Sequence, residues 1–98
     1  MKTIIEQMVE KYGDKQIVVA IEELSELTKE LCKTLRGQPN TQNILEELAD
    51  CHIVLKEMQT FFNITDSQLE TEVFVKLQRT KRIYLNSKEV TDNEEIKS

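Results

Sequence analysis

Glycine and proline are scarce in this chain: two glycines and one proline in 98 residues. A sheet full of tight turns needs many more of both, so long helices with few connections are expected. No apolar run reaches eighteen residues, which leaves no membrane-spanning helix. The first residues, MKTIIEQMVEKYG, carry acids among the apolar positions and no small-residue cleavage site, so they do not read as a secretion signal. Only two cysteines occur, Cys32 and Cys51, without CxxC spacing or a second ligand pair. They read as reduced thiols of a cytoplasmic protein. A basic excess is also missing: 13 Lys and Arg stand against 18 Asp and Glu, a net charge of −5. That counts against a nucleic-acid polymer as partner, because tracking a phosphate backbone needs positive charge. It leaves room for a phosphate ligand held through a metal ion.

What is present suits one modest globular domain. Hydrophobic residues make up 39% and charged residues 32%, a balance that is neither disordered nor membranous. A chain of this size buries about two-thirds of its surface on folding. There is no internal repeat and no low-complexity tract.

Apolar spacing divides the chain into four helical segments. The first covers roughly 2–12, with Ile4, Ile5, Met8 and Val9 on one face and Gly13 as its stop. The second covers roughly 15–36, where Ile17, Ala20, Ile21, Leu24, Leu27, Leu31 and Leu35 form one stripe expected to face the core. Gly37-Gln38-Pro39-Asn40 ends it. The third, roughly 41–62, starts at the N-cap candidate Asn40 and has the stripe Ile44, Leu45, Leu48, Cys51, His52, Leu55, Met58 and Phe62. The fourth, roughly 66–86, opens on a Thr65/Gln68 capping box and is expected to bury Leu69, Val73, Leu77 and Tyr84. Its middle is basic: Lys76, Arg79, Lys81 and Arg82. Residues 87–98 read as a polar, fraying tail. The expectation is an all-α fold, an antiparallel bundle of about four helices over residues 1–86, completed by dimerisation.

Two acidic pairs stand out. Glu23 and Glu26 lie three apart on the second segment, and Glu47 and Asp50 three apart on the third. Each pair shares one helix face. Four such pairs occur in the chain, close to chance; the other two, Glu89/Asp92 and Asp92/Glu95, fall in the tail and look like solvated charge. The first two have a distinctive context. At about 100° per residue, Glu23 lies about 100° and Glu26 about 160° to one side of their apolar stripe. Glu47 and Asp50 have the same offsets on their own helix. Val19, Val54 and Phe61 sit on these acidic sides, which points to a second buried surface there, supplied most simply by a partner subunit. Four converging carboxylates raise one another's pKa, and a divalent cation resolves the conflict. Oxygen ligands without a Cys/His cluster select Mg²⁺ or Mn²⁺ over Zn²⁺. Spacing and angle by themselves also fit solvent-facing charge on amphipathic helices.

The wording around the pairs narrows the choice. Glu22-Glu23-Leu24-Ser25-Glu26-Leu27 followed by Glu46-Glu47-Leu48-Ala49-Asp50 resembles the EExxE and ExxD helices of the MazG-like, all-alpha nucleoside triphosphate pyrophosphohydrolases. Lys76-Leu77-Gln78-Arg79-Thr80-Lys81-Arg82 looks like the basic stretch of the helix that closes the family's site, so the resemblance spans roughly residues 15–86. It implies cleavage of a nucleoside triphosphate between the α and β phosphates, to a monophosphate and pyrophosphate. It implies Mg²⁺ (Mn²⁺ as a substitute) held by Glu23, Glu26, Glu47 and Asp50, and a homodimer or tetramer. Lys76 and Arg79, three apart on one face, are candidates for outlying phosphate contacts or for solvated and inter-subunit ion pairing. Cys51 and His52 depart from the apolar residues more usual after the ExxD aspartate. His52, lying in the stripe, is expected to be a buried neutral histidine. Glu30, a turn beyond Glu26, is open to a place near the metal or to pairing with the basic helix. A helical module of the same fold that binds nucleotides or a protein without catalysis is the competing reading.

Overall fold

A computed structural model describes the backbone of residues 1–90 and the side chains of residues 1–86. Thr3 starts the first helix, α1 (Ile4–Tyr12), through a reciprocal capping box. Its hydroxyl accepts from the Glu6 amide at 3.1 Å, and the Glu6 carboxylate accepts from the Thr3 amide at 2.9 Å. These bonds hold the Glu6 carboxyl below its usual range. Gly13, with φ of 56°, ends α1 and returns its N–H to the Val9 carbonyl.

The second helix, α2 (Lys15–Leu35), and the third, α3 (Thr41–Phe61), are antiparallel and form the principal pairing. The link between them is short because both ends are tightly capped. Gly37, with φ of 82°, sits where a helix turns left-handed. Its N–H bonds to the Thr34 carbonyl at 3.0 Å, and Gln38 N–H reaches back to Lys33 at 2.9 Å, a Schellman closure. Asn40 caps α3 as expected, its side chain accepting from the Asn43 amide at 3.0 Å. Asn63, with φ of 56°, closes α3 in the same way as Gly37, and Ile64 N–H bonds to the Gln59 carbonyl at 2.9 Å. Helix α1 packs mainly on α3 and to a lesser extent on α2.

These three helices make one compact unit ending at Ile64, and a second unit begins at Thr65. The second unit holds α4 (Asp66–Val90). The expected capping box starts it: the Gln68 amide donates to the Thr65 hydroxyl at 3.1 Å and the Thr65 amide to the Gln68 side chain at 2.8 Å. The helix runs four residues past the expected end at 86, and the remainder of the expected tail, 91–98, lies outside the described residues. The described residues are all-α, with four helices and no strand. None of their helices is long and apolar enough to cross a membrane.

The packing face differs from the one the apolar stripes predict. The buried residues are Gln16, Ala20 and Glu30 on α2, with Cys51, Val54 and Glu57 on α3. Ile21, Leu24, Leu31 and Leu35 of the predicted α2 stripe are exposed, as are Leu45, Leu48, His52, Leu55 and Phe62 of the α3 stripe. The buried apolar positions of the two helices are Ala20, Cys51 and Val54, while these larger side chains stay exposed. His52 is therefore a surface residue, and its expected burial is corrected. Of the residues that pointed to a second surface, Val54 is buried within the chain and Phe61 half-buried, while Val19 keeps 37% of its surface exposed and lines a cavity with Met8 and Tyr12 of α1. On α4 the expected burial of Leu69, Val73, Leu77 and Tyr84 is corrected too; all four are exposed. A single helix has no second element in its own unit on which to bury a stripe.

Candidate metal centre

The α2–α3 seam carries the acids. Cys51 anchors the level of the site, its thiol donating to the Glu23 carbonyl oxygen at 3.4 Å. Glu23 then projects from the middle of α2 toward α3. Glu47 and Asp50, one turn apart on α3, point to the same place because residues three apart share a face. One carboxylate oxygen from each of Glu23, Glu47 and Asp50 lies within 4.8 Å of the other two. Glu23 and Glu47 are half-buried and Asp50 is exposed, so the cluster opens to solvent on the Asp50 side.

Electrostatics set this cluster apart from ordinary surface charge. Burial pushes the Glu23 carboxyl above its usual range, followed by the charges of Asp50 and Glu47, a hydrogen bond shared with Asp50, and the charge of Glu26. Burial also raises Glu47, with Asp50, Glu26, Glu30 and Glu46 adding to it. Glu47 Oε2 is buried and has no hydrogen-bond partner. Crowded carboxylates with an unpartnered inward oxygen call for a positive group between them. The donors are all hard carboxylate oxygens, with no imidazole among them, which fits Mg²⁺ or Mn²⁺. The nearby Cys51 thiol is not competitive as a ligand. Burial raises its pKa, and the charges of Glu23, Glu47 and Asp50 raise it further.

The other residues singled out by sequence fall in different places. Glu26 is exposed and outside the trio, although its charge reaches both Glu23 and Glu47. Glu30 is buried and bonded within its own helix to Lys33 at 3.3 Å, with its second oxygen, Oε1, unpartnered. Lys76 and Arg79 are exposed on α4. Sequence spacing did not single out Gln16 and Glu57, which are 3% and 2% exposed and each carry a buried, unpartnered oxygen. Burial pushes the Glu57 carboxyl up. A signal was available: Gln16 lies seven residues before Glu23, and Glu57 seven after Asp50, which places both on the seam. Comparison of the chain with known protein families, with curated proteins and with solved structures finds no match.

Proposed function

We propose that this chain is a Mg²⁺-dependent hydrolase that cleaves nucleoside triphosphates between the α and β phosphates, releasing a monophosphate and pyrophosphate. The observation that carries the reading is the convergence of Glu23, Glu47 and Asp50 on one point, with Glu47 Oε2 buried and unpartnered. Glu23, Glu47 and Asp50 would hold the ion, with Glu26 completing the acidic set from its exposed position. Mg²⁺ held there would supply charge neutralisation at the phosphates and lower the pKa of a water. A carboxylate oxygen of the set not engaged by the ion would take the proton of the water that attacks the α-phosphorus. The new oxygen–phosphorus bond forms, the α–β bridge breaks, and pyrophosphate leaves. For Lys76 and Arg79, exposed on α4, a role at outlying phosphates rests on the resemblance described above alone.

The same reading makes the chain a cytoplasmic homodimer or tetramer. Its support is the outer face of α2 and α3, where Ile21 (59%), Leu35 (88%), Leu45 (58%) and Phe62 (57%) remain exposed. Large apolar side chains left exposed on both helices fit an interaction site. Incubation with nucleoside triphosphates and Mg²⁺ tests the chemistry, with products separated by ion exchange. Monophosphate and pyrophosphate are expected, and Glu47→Gln is expected to abolish turnover at unchanged helix content. Diphosphate and orthophosphate would reject the α–β assignment. Full activity of the variant would reject the metal site. Stable nucleotide binding with no product would favour a non-catalytic binding module.

A further inference from the structure

Helix α4 forms the second unit by itself, and its stripe Leu69, Val73, Leu77 and Tyr84 is exposed. At about 100° per residue these four and Thr80 fall within an arc of about 80°. A lone amphipathic helix gains most of its stability from an apolar surface packed against it, so the stripe is a docking face. Its charges identify the occupant. Residues 66–72 carry Asp66, Glu70 and Glu72 and no base, whereas residues 76–82 carry Lys76, Arg79, Lys81 and Arg82 and no acid. The helix dipole does not account for this segregation. Its influence is confined to the first and last turns, and Arg82 lies about two turns before the end at Val90. Pairing within the helix does not account for it either. Among residues 66–86 only Glu72 and Lys76 have the spacing of three or four at which an acid and a base of one helix meet. A second α4 laid antiparallel satisfies both ends at once, because each acidic half then runs along a basic half.

We propose that α4 pairs with α4 of a second copy of the chain, antiparallel about a two-fold axis beside Leu77. Leu77 then packs on its own counterpart, Val73 on Thr80 and Leu69 on Tyr84. Glu70 and Lys81 flank the stripe on one side, and Glu72 and Arg79 on the other. Like sides meet in an antiparallel pair, so Glu70 faces Lys81 of the second copy and Glu72 faces its Arg79. Each pairing occurs twice by symmetry. Flanking charges of this kind set the orientation of paired helices. A parallel pair would put acid on acid and base on base. The α4 pair is separate from the outer face of α2 and α3 and independent of the nucleotide chemistry. A chain with two self-complementary faces assembles beyond a dimer, to a tetramer when the symmetry closes.

Charge reversal in the full chain tests the pairing, in wild type and in Leu55→Lys, which places a charge on the outer α2–α3 face. Sedimentation velocity reads the association constant and circular dichroism the helix content. Glu70→Lys with Glu72→Lys is expected to weaken association at least tenfold, and so is Arg79→Glu with Lys81→Glu. The chain carrying all four reversals is expected to regain the original association, because every facing pair is again opposite in sign. Mixing the two double variants is expected to restore it too, as a hetero-pair seen by native mass spectrometry. Where a reversal costs helix content, the corresponding pair of glutamines replaces it, with an expected loss of about fivefold. Unchanged association in both double variants overturns the proposal and assigns any self-association to another face or to a parallel pair. Weakening by the reversals at 79 and 81 alone, without rescue, overturns it in favour of an acidic partner surface. A Leu55→Lys chain that is monomeric at millimolar concentration overturns it as well, whatever the outcome of the hydrolysis assay.

Discussion

Replacing Leu55 with lysine tests whether the outer face of α2 and α3 is covered by a second copy of the chain. Leu55 keeps 55% of its surface exposed. Full burial of a leucine side chain is worth about 1.5–3 kcal/mol, so covering the remaining half is worth about 0.8–1.6 kcal/mol. In a two-fold symmetric dimer the residue occurs twice, which makes the loss about 1.6–3.3 kcal/mol, or about a 10- to 200-fold weaker association. A lysine ammonium taken out of water at that interface adds to the loss. The isolated subunit should barely notice. Leu55 contributes little to the α2–α3 seam, and surface substitutions of this kind change stability by about 0.5 kcal/mol or less. Sedimentation velocity over a concentration series reads the association constant, and urea denaturation of the monomer reads the fold. A wild-type chain that stays monomeric at high concentration refutes the reasoning. So does a Leu55→Lys chain that associates as tightly as wild type.

The acidic cluster makes a signed prediction about pH. The carboxyls of Glu23 and Glu47 are raised above the usual value of 4.5. The folded state therefore holds more protons than the unfolded one, and the stability these groups contribute is greatest at low pH. It is lost as pH rises through the raised folded values. In metal-free protein the urea midpoint of wild type relative to Glu47→Gln should fall from pH 4.5 upward. A flat or rising difference contradicts the cluster. Mg²⁺ affinity should climb over the same window, because the ligands must be deprotonated to bind. Magnesium at a hundredfold excess over its dissociation constant should stabilise wild type by about 2.7 kcal/mol. It should not stabilise Glu47→Gln in differential scanning calorimetry. Gly37→Ala should cost about 1 kcal/mol in chemical denaturation, since no atom crowds the new methyl and the backbone conformation alone resists it.

The helices and their ends were legible in the sequence. Gly13, Gly37, Asn40 and the Thr65/Gln68 pair act through their own side chains or backbone freedom, and such local causes leave a local trace. The pairing face was not legible. Periodicity shows which side of a helix is apolar, but not which neighbour covers it. In a unit of three helices the buried apolar positions are Ala20, Cys51 and Val54, while the bulky Ile21, Leu24 and Leu31 are exposed. The acidic residues at 23, 47 and 50 were readable from spacing because helix geometry alone aligns them. Glu26 turned out to stand apart once the seam had taken Glu23 inward. Gln16 and Glu57 escaped notice because their residue types are ordinary on surfaces. Only the distance of seven from Glu23 and Asp50 marks them, and that mark has meaning only when the seam is known.

Cys32 is exposed and Cys51 is buried, with its sulfur bonded to the Glu23 backbone and its ionisation suppressed. The chain thus carries two thiols of opposite accessibility, one at the surface and one locked under the carboxylates. A maleimide or disulfide reagent meets the first at once and reaches the second only when α2 and α3 part. At reagent concentrations where modification outpaces reclosing, the rate of that second modification is the opening frequency of the seam.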